Sequence, residues 1–420
     1  MLLQNIIIQQ AGIYTVANIK IEEGIIKSVT TRPLLNQDIC KYKFFITPGF
    51  VNSHLHPSQL TDRGTLDGLS ISKLLSAMHH SNKKTDQDRY LHALFVLIDT
   101  IKSGATTIYS VASNPMPIIK AYATLGIRGA VTCFFNDVWE GEGTAPKLTN
   151  KDSVEEIFNQ FYVHKSNYTD IHIGSASLQT ASNDLLRLFD RIAHKYNIKV
   201  NLHVSEGARS VELCKRYRGT TPVRLLAELG ILNSRWNLIH VTNIDSEEIK
   251  IIADSGANVT LCPVSNAKTG VGIAPFTDLI RNNVTITLGT DACSNNNSNN
   301  ILNEAYFTSL LCNAINRDPN YINETKLLQW LTINGYQTLG MHQSGLISAG
   351  EPADLLLWSI EESSFVPIYH KNYYSTIFSN AADIKPHTVL INGIKVIDNY
   401  NFLLLNEIDL LQSINNNFLN

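Results

Sequence analysis

At 420 residues the chain is long enough for one large domain plus a smaller module. Lys and Arg total 34 against 37 Asp and Glu, a net charge of −3 with no basic block, which excludes nucleic acid and acidic membrane surfaces as main partners. Apolar residues make up 44%, ordinary for a soluble globular protein, and no apolar run reaches spanning length.

The opening Met1-Leu2-Leu3-Gln4-Asn5 has no charged stretch before its short apolar run, so no secretory signal is expected. Residues 1–48 pattern as short strands and turns. Ile6-Ile7-Ile8 and the run Val16 to Ile21 flank Ala11-Gly12, and Glu22-Glu23-Gly24 makes the next turn. From there the chain alternates strand and helix patterns, the signature of a parallel sheet. Eight strands are predicted near 48–54, 105–112, 126–135, 170–177, 199–205, 236–242, 258–264 and 285–291. Helices are predicted over Asp184–Tyr196, Pro222–Leu229, Ser246–Ser255, Pro275–Asn282, 301–316 and 324–339. The stretch 57–100 is too long for a plain connection and is expected to hold a helix and a lid. The Asn-rich run Ser294–Asn300 follows Asp291 directly and is expected to be an ordered loop of the site. The C-terminal runs Asp354 to Trp358 and Thr388 to Ile397, the second with an Asn392-Gly393 turn, return to strand character. The expected fold is α/β: a distorted (β/α)8 TIM-type barrel over 49–345, inserted into a small β-sandwich module built from 1–48 and 346–420.

Four apolar runs end in a metal-type ligand. They close on His54-Leu55-His56, His203, His240 and Asp291. A lone His-x-His is a weak signal, although residues at i and i+2 of a strand do face one side. The placement of all four at the ends of predicted strands 1, 5, 6 and 8 is the stronger argument. A barrel gathers those ends around one mouth. Neutral imidazoles and a carboxylate there suit Zn²⁺ or Fe²⁺ with a position left for water, the equipment of a hydrolase. His79, His80, His92, His164, His194, His342, His370 and His387 fall in helix or loop patterns and are expected at surfaces or in packing; His172, inside predicted strand 4, is expected in the core. Cys40, Cys133, Cys214, Cys262, Cys293 and Cys312 show no paired spacing and are expected to be reduced thiols of a cytoplasmic protein. Cys262 and Cys293 lie near strand ends, where burial is the leading expectation.

With these residues the chain resembles the amidohydrolase superfamily, in its branch of methylthioadenosine and adenosylhomocysteine deaminases, guanine deaminase and triazine hydrolases. The matching motifs are Pro48-Gly49-Phe50-Val51-Asn52-Ser53-His54-Leu55-His56, Arg63-Gly64, His203-Val204-Ser205-Glu206 and Leu238-Ile239-His240-Val241. They continue with Cys262-Pro263-Val264-Ser265-Asn266-Ala267-Lys268, Leu288-Gly289-Thr290-Asp291, and Gly345-Leu346-Ile347 with Gly350-Glu351-Pro352-Ala353-Asp354-Leu355. The resemblance implies His54, His56, His203 and Asp291 as ligands of the metal, with His240, Glu206 and Asp291 acting on the substrate. This chain has Ala292 where the family often has Gly, lacks the common Pro-Tyr-Thr-Cys at 178–182, and lacks a tryptophan in Leu66–Ser76.

Predicted strand 4 carries no lysine that could become a carboxylated bridge, so one metal is expected, with Zn²⁺ ahead of Fe²⁺. Asp291 would accept a proton from water, His240 would orient the attacking oxygen, and Glu206 would protonate a ring nitrogen and then the leaving amine. The resulting expectation is a hydrolytic deaminase of an amino-substituted heterocycle of nucleobase, nucleoside-like or pterin-like type. A relative that expels another group, such as chloride or alkylamine from a triazine or ammonia from a formimino group, is the alternative; a non-catalytic barrel is the third reading. By position, Gln59, Gln179, Asn266 and Trp139 are candidate substrate contacts, with Asn136 and Ser265 beside them. The expected partner is a small heterocycle, with neither nucleic acid nor membrane, and the resemblance implies a homodimer.

Overall fold

The computed structural model describes residues 1–35, 39, 41–70, 73–74, 77, 84–142, 145–341, 345–368 and 373–419. The chain opens with three antiparallel strands, β1 (Leu2–Gln10), β2 (Ile13–Glu22) and β3 (Ile25–Pro33). β4 (Phe44–Pro48) returns parallel to β1, with Ile7 opposite Phe45. One residue later the chain leaves this sheet and begins a second.

Eight parallel strands form that second sheet in chain order. They are β5 (Phe50–Leu55), β6 (Ala105–Ala112), β7 (Arg128–Phe134), β8 (Thr169–Ser175), β9 (Val200–Val204), β10 (Trp236–His240), β11 (Asn258–Leu261) and β12 (Ile286–Leu288). A parallel bridge between Leu55 and Asp291 closes the last strand onto the first. Each strand lies within a few residues of the sequence expectation, because fully buried strands read as continuous apolar runs. The helices between them cover the outside. Asn183–Tyr196 is typical: Ser182 caps it by accepting from the Leu185 amide, and Leu185, Leu186, Phe189, Ile192 and Ala193 are buried at helical spacing. Burying each large member of that stripe contributes about 1.5–3 kcal/mol. Asn197 ends the helix in a left-handed conformation at φ 51°.

β13 (Leu355–Ser359), β14 (Thr388–Ile391), β15 (Ile394–Asp398) and β16 (Asn401–Phe402) then rejoin the first sheet, β13 lying antiparallel to β4 with Leu355 opposite Pro48. The chain ends thus build one eight-stranded sheet. Its central strands β4, β13 and β14 are buried on both faces, and the two-residue period divides the sheet's inward side chains between two cores. Ile7, Val16, Phe45, Leu356 and Trp358 join the barrel core, whereas Ile6, Ile8, Ala17, Ile19, Ile46, Leu355 and Leu357 form a core within the module.

One expectation needs correction. The helix predicted over 324–339 is two helices, Glu324–Leu331 and Ile333–Leu339, broken at Thr332 with φ −126° and ψ −88°. The break swings the second helix onto β5, so close that a Cβ on Gly335 would lie 2.5 Å from that of Val51. The connection after β5 does hold a helix, Asp86–Lys102, with a Thr85/Asp88 capping box; much of the expected lid, with His79 and His80, lies outside the described residues, as do His342, His370 and Cys40. The five cysteines within the described residues are free and buried, and no described helix is long and apolar enough to cross a membrane.

Module and barrel are pinned by a buried ion pair. Arg128, at the foot of β7, donates through Nε to Asp354 Oδ2 at 2.6 Å and through a terminal nitrogen to Asn392 Oδ1. The Asn392 amide in turn donates to Asp354 Oδ1 at 2.7 Å. Both charged side chains are no more than 5% exposed. A buried pair costs most when one partner is removed, since the other charge is then stranded. Asp354→Ala should therefore destabilise the protein by about 3–5 kcal/mol, read as a lower denaturant midpoint, whereas replacing the exposed Asp398 that pairs with Lys395 should cost about 1 kcal/mol or less.

Candidate metal centre and active site

Barrel closure builds this site. His54 lies on β5 and His56 just beyond it; Asp291 follows β12, and its amide donates to the His54 carbonyl at 3.0 Å. The approach is tight enough that a Cβ on Gly289 would fall 2.6 Å from the His54 Cβ. His203 stands on β9 and His240 ends β10. Below them a polar layer lines the barrel interior. Asn52 and Asn201 precede His54 and His203 by two residues and so share their face. Asn52 donates to Thr290 (2.8 Å), Asn201 to Thr132 (2.9 Å), Asn237 to Asn201 (2.9 Å) and Thr260 to Asn237 (2.9 Å). Several residues at the mouth leave their strands with positive φ: Ser205 (51°), His240 (78°), Val241 (43°) and Asp291 (61°). Left-handed backbone at non-glycine residues is costly and clusters where a side chain must be re-aimed.

The re-aimed atoms converge. His54 Nε2 is 3.1 Å from the Nε2 of His56 and 3.1 Å from that of His203, and Asp291 Oδ1 lies 3.5 Å and 3.4 Å from the Nε2 atoms of His54 and His56. Ligand atoms of His54, His203 and His240 also fall within 4.8 Å of one another. His203 Nδ1 is 2.5 Å from the Ala176 carbonyl, which fixes Nδ1 as the protonated nitrogen and leaves the Nε2 lone pair facing the centre. Asp291 Oδ2 accepts from Ser265 Oγ at 2.6 Å and from Asn295 Nδ2 at 3.2 Å.

Burial sets the protonation states. It drives the histidine pKa values down, His56 to about 3 with help from His54, His203 well below the ordinary value, and His54 and His240 in the same direction. Burial alone would raise Asp291, but the surrounding imidazoles, His54 first, hold it well below the usual carboxylate range. The result at neutral pH is neutral imidazoles, that of His203 with its Nε2 lone pair inward, and an ionised carboxylate. That donor chemistry fits one divalent cation.

Glu206 stands beside this set, its Oε1 3.7 Å from His240 Nε2 and its side chain 19% exposed. Burial first, then the charge of Asp291, raises its carboxyl to about 8, so it keeps its proton at neutral pH. Glu206 precedes the helix Gly207–Arg218 yet makes no side-chain cap; the Gly207 amide donates instead to Thr242 Oγ1 at 2.9 Å. The carboxyl is therefore not spent on starting its own helix.

The candidate substrate contacts sit in different surroundings. The Gln59 side-chain amide is 3.4 Å from His56 Nδ1. Gln179 Nε2 donates to the Ser210 carbonyl at 2.9 Å, and the residue is 7% exposed. Asn266 is buried against His240, a contact that favours the charged imidazole. Trp139 is half-buried over Gly141, where a Cβ would lie 2.2 Å from its ring. Asn136 Oδ1 accepts from Ser175 Oγ at 3.0 Å. The loop carrying Trp139 is held to the β8 loop through Asp137, which accepts from Ser182, and to the end of the helix Gly207–Arg218 through Glu140, paired with Arg218 at 2.6 Å. His172 is fully buried in β8, as expected of a core position, and neither of its ring nitrogens has a hydrogen-bond partner. Cys262 and Cys293 are fully buried, Cys293 Sγ donating to the Gln59 carbonyl.

Sequence reasoning missed Phe134, whose ring lies 5.8 Å from His203 and 6.5 Å from His56 as an apolar wall; its only signal was its place at the end of β7. It also passed over Asn295, although Asn295 lies in the Asn-rich run that directly follows Asp291.

Comparison with known proteins places this geometry. The model of the amidohydrolase family matches residues 45–396. A 5-methylthioadenosine/S-adenosylhomocysteine deaminase of Pyrococcus furiosus is 27% identical over 93% of both chains. A 5'-deoxyadenosine deaminase of Methanopyrus kandleri is 26% identical over 93% of this chain and 92% of its own. Among solved structures, atrazine chlorohydrolase TrzN from Arthrobacter aurescens TC1 complexed with zinc superposes with a TM-score of 0.86 at 19% identity, covering 98% of this chain and 99% of that one. An adenosine deaminase from Xanthomonas campestris with bound zinc gives 0.83 at 20% identity, covering 98% and 97%. With its family model spanning the whole barrel and the strands that flank it on either side in sequence, β4 and β13, the chain belongs to the amidohydrolase family.

Proposed function

We propose that this protein is a metal-dependent hydrolase that releases ammonia from an amino-substituted nitrogen heterocycle, acting on a carbon–nitrogen bond outside peptides. One observation carries the reading: the carboxyls of Glu206 and Asp291 stand on one buried cluster of imidazoles, Glu206 Oε1 3.7 Å from His240 Nε2 and Asp291 Oδ1 3.5 and 3.4 Å from the Nε2 atoms of His54 and His56, with burial raising the first and the imidazoles lowering the second. Two carboxyls held in opposite protonation states are an acid and a base ready for one reaction. The full-length likeness to relatives named as deaminases of adenosine derivatives supports an aminopurine nucleoside as the leading substrate class.

His54, His56, His203 and Asp291 would hold one cation, Zn²⁺ before Fe²⁺, which share these ligand types. Such a cation acts as a Lewis acid and lowers the pKa of water towards neutrality. Asp291 takes the proton released by the attacking water, its Oδ2 held in place by Ser265 and Asn295. Glu206 gives its proton to the ring nitrogen as the neighbouring carbon is attacked, and a proton then passes to the amine, which leaves as ammonia. His240 directs Nε2 at the oxygen that gains charge. Water and heterocyclic amine go in, and carbonyl and ammonia come out. β8 ends in Gly174-Ser175 with no lysine to supply an anionic bridge, so a second cation next to the first would meet uncompensated repulsion. The free buried thiols suit a reducing cytoplasm.

Glu206→Gln should lower kcat by about 10²–10⁴-fold while metal content by elemental analysis stays at the parent value. Asp291→Ala should lose turnover together with bound metal. A Glu206→Gln enzyme with parental turnover would remove Glu206 from the chemistry. Chelation should abolish activity, and one equivalent of Zn²⁺ should restore it; a requirement for two would contradict the single-cation reading. A panel of 5'-modified adenosines, free nucleobases, pterins and chlorotriazines, assayed for both ammonia and chloride, should give ammonia from an aminated ring. Chloride release without ammonia would overturn the deaminase reading.

A further inference from the structure

Glu304 is a buried carboxyl that the proposed reaction does not use. It lies in the first turn of the helix Ile301–Asn316 and is fully buried. Its oxygens face two segments that are distant in sequence. Oε2 accepts from the Val264 amide at 3.2 Å, and Oε1 accepts from Asn296 Nδ2. The same Asn296 nitrogen also donates to the Thr290 carbonyl at 2.9 Å, one residue before Asp291. Val264 precedes Ser265, whose hydroxyl holds Asp291 Oδ2, and Asn266, which lies against His240. One carboxyl therefore ties together the backbone leading into Asp291 and the short helix Pro263–Thr269, whose Ser265 hydroxyl holds Asp291.

A carboxyl is an expensive way to fill a core, since desolvation costs several kcal/mol where no cation pairs with it. Burial raises Glu304 to about 8, opposed by its hydrogen bonds from Val264 and Asn296. An apolar side chain would pack there at lower cost but would strand two donors. What the carboxyl supplies is two oxygens, fixed relative to each other and each keeping a lone pair even when one carries a proton, for groups on two loops.

We infer that Glu304 is a positioning residue for the active site: by clamping Asn296 and Val264 it sets the orientation of the Asp291 carboxylate. The inference rests on the metal-dependent reading of the site. Glu304 itself touches neither substrate nor ligand atoms. Partners of this kind around a metal site are worth about 10–100-fold in metal affinity or activity.

Glu304→Gln keeps the shape but replaces one oxygen with an NH2 group that cannot accept, and it must face either the Val264 amide or Asn296 Nδ2. The expected result is a fall in kcat of about 10–100-fold with KM within threefold, and a zinc affinity about tenfold weaker in chelator competition. Asn296→Ala, which removes the other half of the clamp, should give the same signature and carries the test if the glutamine variant does not fold. Asn300→Ala, which removes the cap of the same helix, should lower Tm but leave kcat and zinc affinity within threefold of the parent. The inference is overturned if either clamp variant keeps kcat and zinc affinity within threefold of the parent, or if Asn300→Ala loses them equally. Should the parent bind zinc yet hydrolyse no amine, the proposed reaction fails, while zinc competition still decides the role of Glu304.

Discussion

The site depends on one backbone contact, the hydrogen bond from the Asp291 amide to the His54 carbonyl that closes the barrel. Without it, the first and last ligand candidates would lie on opposite edges of an open sheet. With it, residues 237 positions apart in the chain share one wall. The contact requires close approach, which explains why Gly289 stands beside His54: any side chain there would meet the His54 backbone. It also requires Asp291 to leave its strand in a left-handed conformation, so closure stores strain at the place where the carboxylate must turn inward. The layer of Asn52, Thr132, Asn201, Asn237 and Thr260 below satisfies its own polar groups, so the histidines rest on a hydrogen-bonded floor.

Charge in this pocket follows from burial more than from sequence identity. The same desolvation that keeps the histidines neutral also keeps Glu206 protonated, because burial disfavours whichever form is charged. Asp291 escapes this because imidazoles surround it and Ser265 and Asn295 donate to it. Opposite protonation of two carboxyls in one cavity is thus a consequence of their neighbours. Exposing Glu206 would erase the difference without altering any of the candidate metal ligands.

The barrel was readable because its strands are buried on both faces and therefore appear as apolar runs ending in polar residues. β6 (Ala105–Ala112) and the helix Ser246–Ser255, with its Asp245 cap and Gly256 stop, stand where the pattern puts them. The convergence of His54, His56, His203, His240 and Asp291 was readable for the same reason: a barrel maps strand ends onto one mouth. The break at Thr332 was not, since no glycine or proline stands at it and the close approach of Gly335 to Val51 joins segments far apart in sequence. Phe134 was equally hidden, because an aromatic at a strand end reads as core whether or not it faces a site.

The run Ser294–Asn300 shows where composition misleads. Read as composition it is low in complexity, and such runs are usually linkers. In the structure each asparagine has a separate task. Asn295 donates to Asp291, and Asn296 bridges Thr290 and Glu304. Asn297 accepts from the Arg63 side chain through its carbonyl and from the Gly64 amide through its side chain. Asn299 donates to Asp99, and Asn300 caps the helix that carries Glu304. Asparagine suits this work because it donates and accepts at once and tolerates left-handed backbone, as Asn297 does at φ 65°. A repeated residue type here reflects a repeated physical demand, short two-way hydrogen bonding in a tight loop. The order of the loop after Asp291 therefore comes from the partners each side chain finds, and Glu304 is the partner that reaches beyond that loop to the helix beside it.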